Sequence, residues 1–235
     1  EEQYERSQSS SISKKQKFEL LSRSAEAGYA EAQYRLGGLY YQGDGVPKNY
    51  KTAVKWFRLA AQQEHPKAQA QLSICYQFGA GVRYNGKEAV SWMRKSANNG
   101  NLEAQKFMGL CYLKGSGTPQ NPETAIQWFR SAAEAGHASS MFLLATSYRD
   151  GVGVAQDKRQ YIRWMRKAVA AGDSDAAKEL KQYQIDNNLI PNPDDNNTAT
   201  DAQHMASGVN VDKSRVTVGM RYDEMIKVLG QPKST

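Results

Sequence analysis

Cysteine and histidine are scarce in this chain of 235 residues, which holds two Cys and three His. Two thiols cannot build a disulfide framework, and two sulfurs alone make a poor zinc site. Cys75 and Cys111 stand 36 residues apart, in a slot that Leu39 and Ser147 fill elsewhere. A slot that accepts Leu, Cys and Ser is a small packed site, and stacked helices about 8–10 Å apart keep two such sulfurs unbridged. His65 and His137 share a position with Asn101 and Asp173, while His204 lies in a polar stretch. Interchange of His, Asn and Asp marks a polar turn or helix cap, not a catalytic base. No cysteine sits in a nucleophile motif and no carboxylate–histidine spacing suggests a metal site. The expectation is a protein that is not an enzyme, with no catalytic residue, no metal and no cofactor.

Long apolar runs are also missing. Nothing approaches the roughly 18 uninterrupted apolar residues of a membrane helix, so no transmembrane segment is expected. There is no run of four Lys/Arg, which argues against a nucleic-acid partner. The chain opens Glu-Glu-Gln-Tyr, without initiator Met, apolar signal core or lipid-anchor cysteine. That opening leaves room for a removed targeting segment, and with it a lipid anchor on a removed N-terminus. The net charge of +7 is unevenly placed. Residues 1–184 carry 26 basic and 17 acidic residues, against five and seven from 185 onward. The basic body reads first as a solvated helical surface, and second as a face for an acidic or lipid partner.

What the chain does have is a period. Its four tryptophans, Trp56, Trp92, Trp128 and Trp164, fall 36 residues apart three times running. A solenoid repeats its largest side chain this way because each unit solves one packing problem against its neighbour. Within each unit a small residue (Ala32, Ala68, Ala104, Ser140) is followed four on by Leu36, Leu72, Met108 and Leu144. Tyr40, Tyr76, Tyr112 and Tyr148 follow four beyond those. That i, i+4, i+8 stripe predicts a first helix. Paired glycines then end it: Gly43/Gly45, Gly79/Gly81, Gly115/Gly117 and Gly151/Gly153. None leads into Lys-Ser/Thr, so these turns are structural and not phosphate loops. Asn49, Asn85, Asn121 and Asp157 cap a second helix, which carries the Trp and the repeated Arg58, Arg94, Arg130 and Arg166. The Arg row complements the C-terminal end of each helix dipole.

These positions resemble the Sel-one-like repeat family, relatives of tetratricopeptide repeats. The carrying residues are Ala32, Leu36, Gly37, Tyr40, Gly43, Gly45, Val46, Ala53, Trp56, Ala60, Ala61 and their equivalents. Tyr84, Asn85 and Gly86 alter the second turn, and Tyr161 replaces a small Ala in the fourth pair. The resemblance implies an all-α, right-handed α/α superhelical solenoid of antiparallel helix pairs. Four units are expected at 29–64, 65–100, 101–136 and 137–172, with capping half-repeats at 14–28 and 173–185. Residues 186–214, rich in Asn, Asp, Pro, Thr and Ser, read as a linker. Residues 215–235, a strand and a helix, resemble the opening of a BamE/SmpA-type outer-membrane lipoprotein domain. The pattern there is Val218-Gly219-Met220, Asp223-Glu224, Ile226, Leu229-Gly230 and Pro232.

The implied function is protein binding on the concave face lined by first helices. Rows of that face differ between units while the core rows hold. They supply Tyr34, Tyr41, Phe78, Lys106, Leu110, Leu113, Lys114, Phe142 and Arg149 as candidate contacts, suited to a partner with apolar and acidic groups. The expected role is an envelope adaptor or regulator, periplasmic, with the cytoplasm as the alternative compartment. Two other readings stand beside it: an immunity protein that blocks a secreted toxin such as a phospholipase effector, and a peptidoglycan- or lipid-binding module. Oligomeric state is not legible.

Overall fold

The computed structural model describes residues 14–186, so the expected linker and lipoprotein-like segment, 186–214 and 215–235, lie outside the described residues except for Asp186. Ten helices of 13 residues follow one another: α1 Lys14–Glu26, α2 Ala30–Gln42, α3 Tyr50–Gln62, α4 Pro66–Phe78, α5 Gly86–Asn98, α6 Leu102–Lys114, α7 Pro122–Glu134, α8 Ala138–Asp150, α9 Lys158–Ala170 and α10 Ser174–Asp186. Each packs chiefly on its neighbours in sequence, giving the all-α solenoid of antiparallel pairs that the period predicts. Helix α1 precedes four pairs (α2–α3, α4–α5, α6–α7, α8–α9) and α10 follows them.

Each predicted cap performs its role. Asn49, Asn85 and Asn121 accept from the N–H of Thr52, Glu88 and Thr124, and Asp157 from Arg159 and Gln160. The first helices end on glycines in the left-handed conformation, as at Gly43 with φ 79°. The second glycine of each turn has a different task. A Cβ on Gly81 would lie 2.3 Å from the Tyr50 carbonyl oxygen, and one on Gly153 2.4 Å from that of Pro122. The turn thus presses against the second helix of the preceding pair. At Gly45, which has no such pair before it, nothing lies within 4 Å.

Within the core the Trp row and the residue after it divide the packing. Trp164 is buried, but Trp56, Trp92 and Trp128 are only half-buried. The fully buried rung is the following residue: Phe57, Phe129 and Met165 are each at most 1% exposed. The indole is too broad for the close crossing between two helices. It lies instead across a seam, Trp56 against the cluster of Leu21, Ala25, Ala32 and Leu36, and Trp128 against that of Met93, Ala97, Ala104 and Met108. The Trp ladder covers the joints between pairs.

The Arg row is also structural where its partners are resolved. Arg58 donates to the Tyr76 hydroxyl at 3.3 Å and Arg130 to that of Tyr148 at 2.8 Å, tying each second helix to the next first helix. Tyr161, the departure in α9, is 2% exposed; its hydroxyl donates to Glu179 of α10 at 3.2 Å and its ring meets Tyr183 edge-on. The large side chain at that position pins the last helix.

Candidate binding face of the first helices

The nine candidate contacts all lie on first helices (α2, α4, α6 and α8), but with very different freedom. Phe78, the last residue of α4, is 73% exposed, the most exposed large apolar side chain among the described residues. The other five apolar or aromatic candidates are half-buried. Tyr34 stacks on His65 at 5.0 Å and leans on Phe57. Tyr41 meets Tyr50 edge-on at 5.0 Å and also reaches Phe57. Burial pushes both phenols above the usual tyrosine range. Leu110, Leu113 and Phe142 pack against the cluster that holds Phe129, Leu144 and Met165. These five therefore share their surface between core and solvent, whereas Phe78 offers almost all of its ring.

The cations divide in the same way. Lys106 pairs with Glu103 at 2.7 Å, and Lys114 is exposed at the end of α6. Arg149 is committed within the chain: it pairs with Asp150 at 2.7 Å and with Glu179 of the last helix. The hydrogen bonds to Asp150 hold the guanidinium firmly charged. A partner group would have to displace a carboxylate to reach it, so Lys114 is the better-placed cation of the candidate set.

The histidines tie first helices of consecutive pairs together. Ala68 N–H donates to His65 Nδ1 at 3.2 Å, which places the ring proton on Nε2, and Nε2 donates to Glu31 at 2.8 Å. His137 Nε2 reaches Glu103 at 2.9 Å in the same register two pairs later. For Glu31, burial opposes the charge but the hydrogen bonds from His65 and Arg35 outweigh it and hold the carboxyl below its usual range. For Glu103, those from Lys106 and His137 do so directly. His65 is thus both cap and clamp, whereas His137 makes no cap bond to the backbone: its Nδ1 meets Ser140 Oγ at 2.8 Å and it serves as clamp alone.

At the N-terminal end of the face lies a cleft of about 870 Å³ between α1, α2, the turn after α2 and Lys67 of α4. Tyr34 and Gly38 of the first-helix rows line it, with Phe18, Leu21, Leu39 and Val46 as apolar wall and Lys15 and Lys17 on α1. Reading the rows did not find this cleft. Its signal was the glycine at a position where the other three units carry Ile74, Leu110 and Thr146.

Other chemistry finds little footing. Cys75 and Cys111 are free and buried, and desolvation pushes the Cys75 thiol up to about 11, away from the reactive thiolate. Among the described residues no three His, Cys, Asp or Glu side chains cluster in a way that could hold a metal ion. None of the described helices is long and apolar enough to cross a membrane.

Comparison with known proteins places this arrangement. Sel1 repeats are matched at residues 30–65, 66–101, 102–137 and 138–173. A Sel1 repeat protein from Oxalobacter formigenes is 33% identical, with a TM-score of 0.72 over 77% of this chain. A protective antigen of uropathogenic Escherichia coli with the same repeat fold is 32% identical, with a TM-score of 0.68 over 74% of this chain. This chain spans only 55% and 37% of the lengths of those two proteins. An immunity protein from Pseudomonas aeruginosa shares the fold at 19% identity, with a TM-score of 0.50 over 75% of this chain and 67% of its own. No curated protein matches. With four consecutive repeats matched over more than half its length, the chain belongs to the Sel1 repeat family.

Proposed function

We propose that this protein is an interaction scaffold that grips a partner protein on its first-helix face, in the bacterial envelope, as an adaptor or regulator. Sel1 repeats generally mediate protein–protein interaction and are typically non-enzymatic. The observation that carries the reading here is Phe78, a phenyl ring 73% exposed at the end of α4 on the face where the units differ. Burying such a ring at an interface contributes about 1.5–3 kcal/mol, which is what a binding anchor needs and what solvent exposure forfeits. Half-buried Tyr34, Tyr41, Leu110, Leu113 and Phe142 extend an apolar surface already ordered by the core, so a partner meets it at low entropic cost. Lys106 and Lys114 favour a partner that is acidic beside its apolar contacts. The envelope assignment, and the periplasm within it, rests on the lipoprotein-like pattern at residues 215–235.

Capture of partners from the cell envelope, with wild type and with Phe78→Ala, tests this. The expected result is a stoichiometric envelope partner that Phe78→Ala releases or weakens by tenfold or more. Capture unchanged by Phe78→Ala and by Lys114→Glu would move the interface off this face. The immunity proteins of Pseudomonas aeruginosa share the fold, which at their identity speaks only for architecture. A secreted toxin as the sole partner, or peptidoglycan or lipid retained in place of protein, would replace the adaptor reading.

A further inference from the structure

The cleft at the N-terminal end is made by a missing side chain. In the row 38, 74, 110, 146 the later units place Ile, Leu and Thr on the first-helix face, and the first unit places nothing. A Cβ built on Gly38 would meet no atom within 4 Å, so the glycine is not required by a close helix crossing. That sets it apart from Gly37 beside it, where a Cβ would lie 2.7 Å from the Phe57 ring. Gly38 also sits within α2, where glycine is less favourable than alanine because it loses more backbone freedom. A glycine that costs stability and satisfies no packing leaves the space above it.

That space has a definite chemistry. Its volume of about 870 Å³ lies within the range of roughly 300–1,000 Å³ of ligand clefts. Tyr34, Phe18 and Leu21 give it an apolar wall, while Lys15, Lys17 and Lys67 line it with cations. Two carboxylates also face it, Glu31 and Asp44. Glu31 is already neutralised by hydrogen bonds from Arg35 and His65, which leaves Asp44 against three lysines. The balance is apolar within and positive around.

We propose that this cleft anchors an acidic segment of the partner protein through one bulky apolar side chain. The side chain enters over Gly38 against Tyr34, and carboxylates flanking it pair with Lys15, Lys17 and Lys67. The proposal rests on the first-helix face being the protein-binding face and names the chemistry at one end of it. Fully desolvated apolar anchors ringed by polar contacts carry most of the affinity of protein interfaces, and the flanking charges fix register and speed encounter.

Three fluorescein-labelled synthetic hexapeptides test it by fluorescence anisotropy on the full chain: acetyl-DEWLED-amide, its basic counterpart acetyl-KKWLKK-amide, and acetyl-DEAAED-amide without the anchor. The acidic, anchored peptide is expected to bind at least tenfold more tightly than either control. Gly38→Leu is expected to abolish that binding while leaving the melting temperature unchanged or higher, because leucine fills open space and favours the helix. The double variant Lys15→Glu, Lys17→Glu, which leaves the cavity open, is expected to weaken the peptide at least tenfold. Equal binding of the three peptides, binding indifferent to Gly38→Leu, or preference for anionic lipid vesicles over the acidic peptide would each overturn the proposal. If the cleft variants leave the peptide untouched while partner capture still depends on Phe78, the cleft assignment falls and the face assignment stands. Partner capture indifferent to both sets of variants removes the two together.

Discussion

At Gly109 an added methyl carbon would sit 2.4 Å from the Phe129 ring, and at Gly37 2.7 Å from Phe57. The same register in the other two pairs reads Ser73 with Met93 and Ala145 with Met165. Glycine therefore accompanies the rigid ring, and a larger residue accompanies the flexible thioether, which bends out of the way. Each crossing keeps its total volume by trading one side against the other. Gly109→Ala is expected to destabilise the fold by about 1–3 kcal/mol, the usual penalty of overpacking. Adding Phe129→Met should recover much of that loss, so a double-mutant cycle in urea would show a favourable coupling. Additive losses would mean that the glycine is needed for something other than the ring. The sequence showed both rows, but their pairing across a crossing needed the structure. For the same reason the spacing of the Trp row does not tell that the residue after each of Trp56, Trp128 and Trp164 is the deeper one. Periodicity finds which positions face inward; how close two backbones approach decides which of them is deepest.

Between elements, the turns on one edge of the solenoid are linked by amides. Gln63 donates to the Gly28 carbonyl at 2.9 Å and to Gln33 Oε1 at 2.8 Å, and Asn99 donates to the Glu64 carbonyl and to Gln69 Oε1. The third link is missing, because Ala135 stands in that place and leaves Gln105 Oε1 buried with no partner among the described residues. Ala135→Gln is expected to restore it and to raise stability by about 0.5–1.5 kcal/mol, the net worth of a hydrogen bond that satisfies a buried acceptor. A destabilised variant in thermal unfolding would show that the acceptor is satisfied otherwise. Other links recur in every second pair: the His65–Glu31 and His137–Glu103 clamps, and the Arg58–Tyr76 and Arg130–Tyr148 bonds. The clamp carboxylates give the fold an acid limb. Glu31 and Glu103 both titrate below the ordinary glutamate value of about 4.3 in the folded chain. Their contribution is complete above that value and is lost as pH falls through their lowered folded values. The melting temperature of Glu103→Gln should therefore lie below wild type at pH 6 and converge on it near pH 3. A gap that persists at pH 3 would assign the difference to packing. The caps at Asn49, Asn85, Asn121 and Asp157 were legible because a cap is a local device. The amide links join residues 30 and 35 apart, and nothing in the local pattern marks them.

For the molecule as a whole, the repeated positions are occupied with packing, and the proposed binding contacts fall where the four units disagree. That contrast is what nominates the first-helix face in the sequence. It did not tell exposure apart, because the same rows hold Phe78, nearly free, and Leu110, Leu113 and Phe142, half-used by the core. Nor did it show that Arg149, polar and unrepeated, is held by Asp150 and Glu179. The cleft over Gly38 escaped because it is defined by an absent side chain and by lysines of a helix before the first complete pair. The proposed function places the partner on the first helices. Amide hydrogen exchange, compared between the free chain and its complex with the captured partner, tests it directly. Added protection is expected in α2, α4, α6 and α8, greatest near Phe78, with α3, α5, α7 and α9 unchanged. Protection confined to those second helices would contradict it.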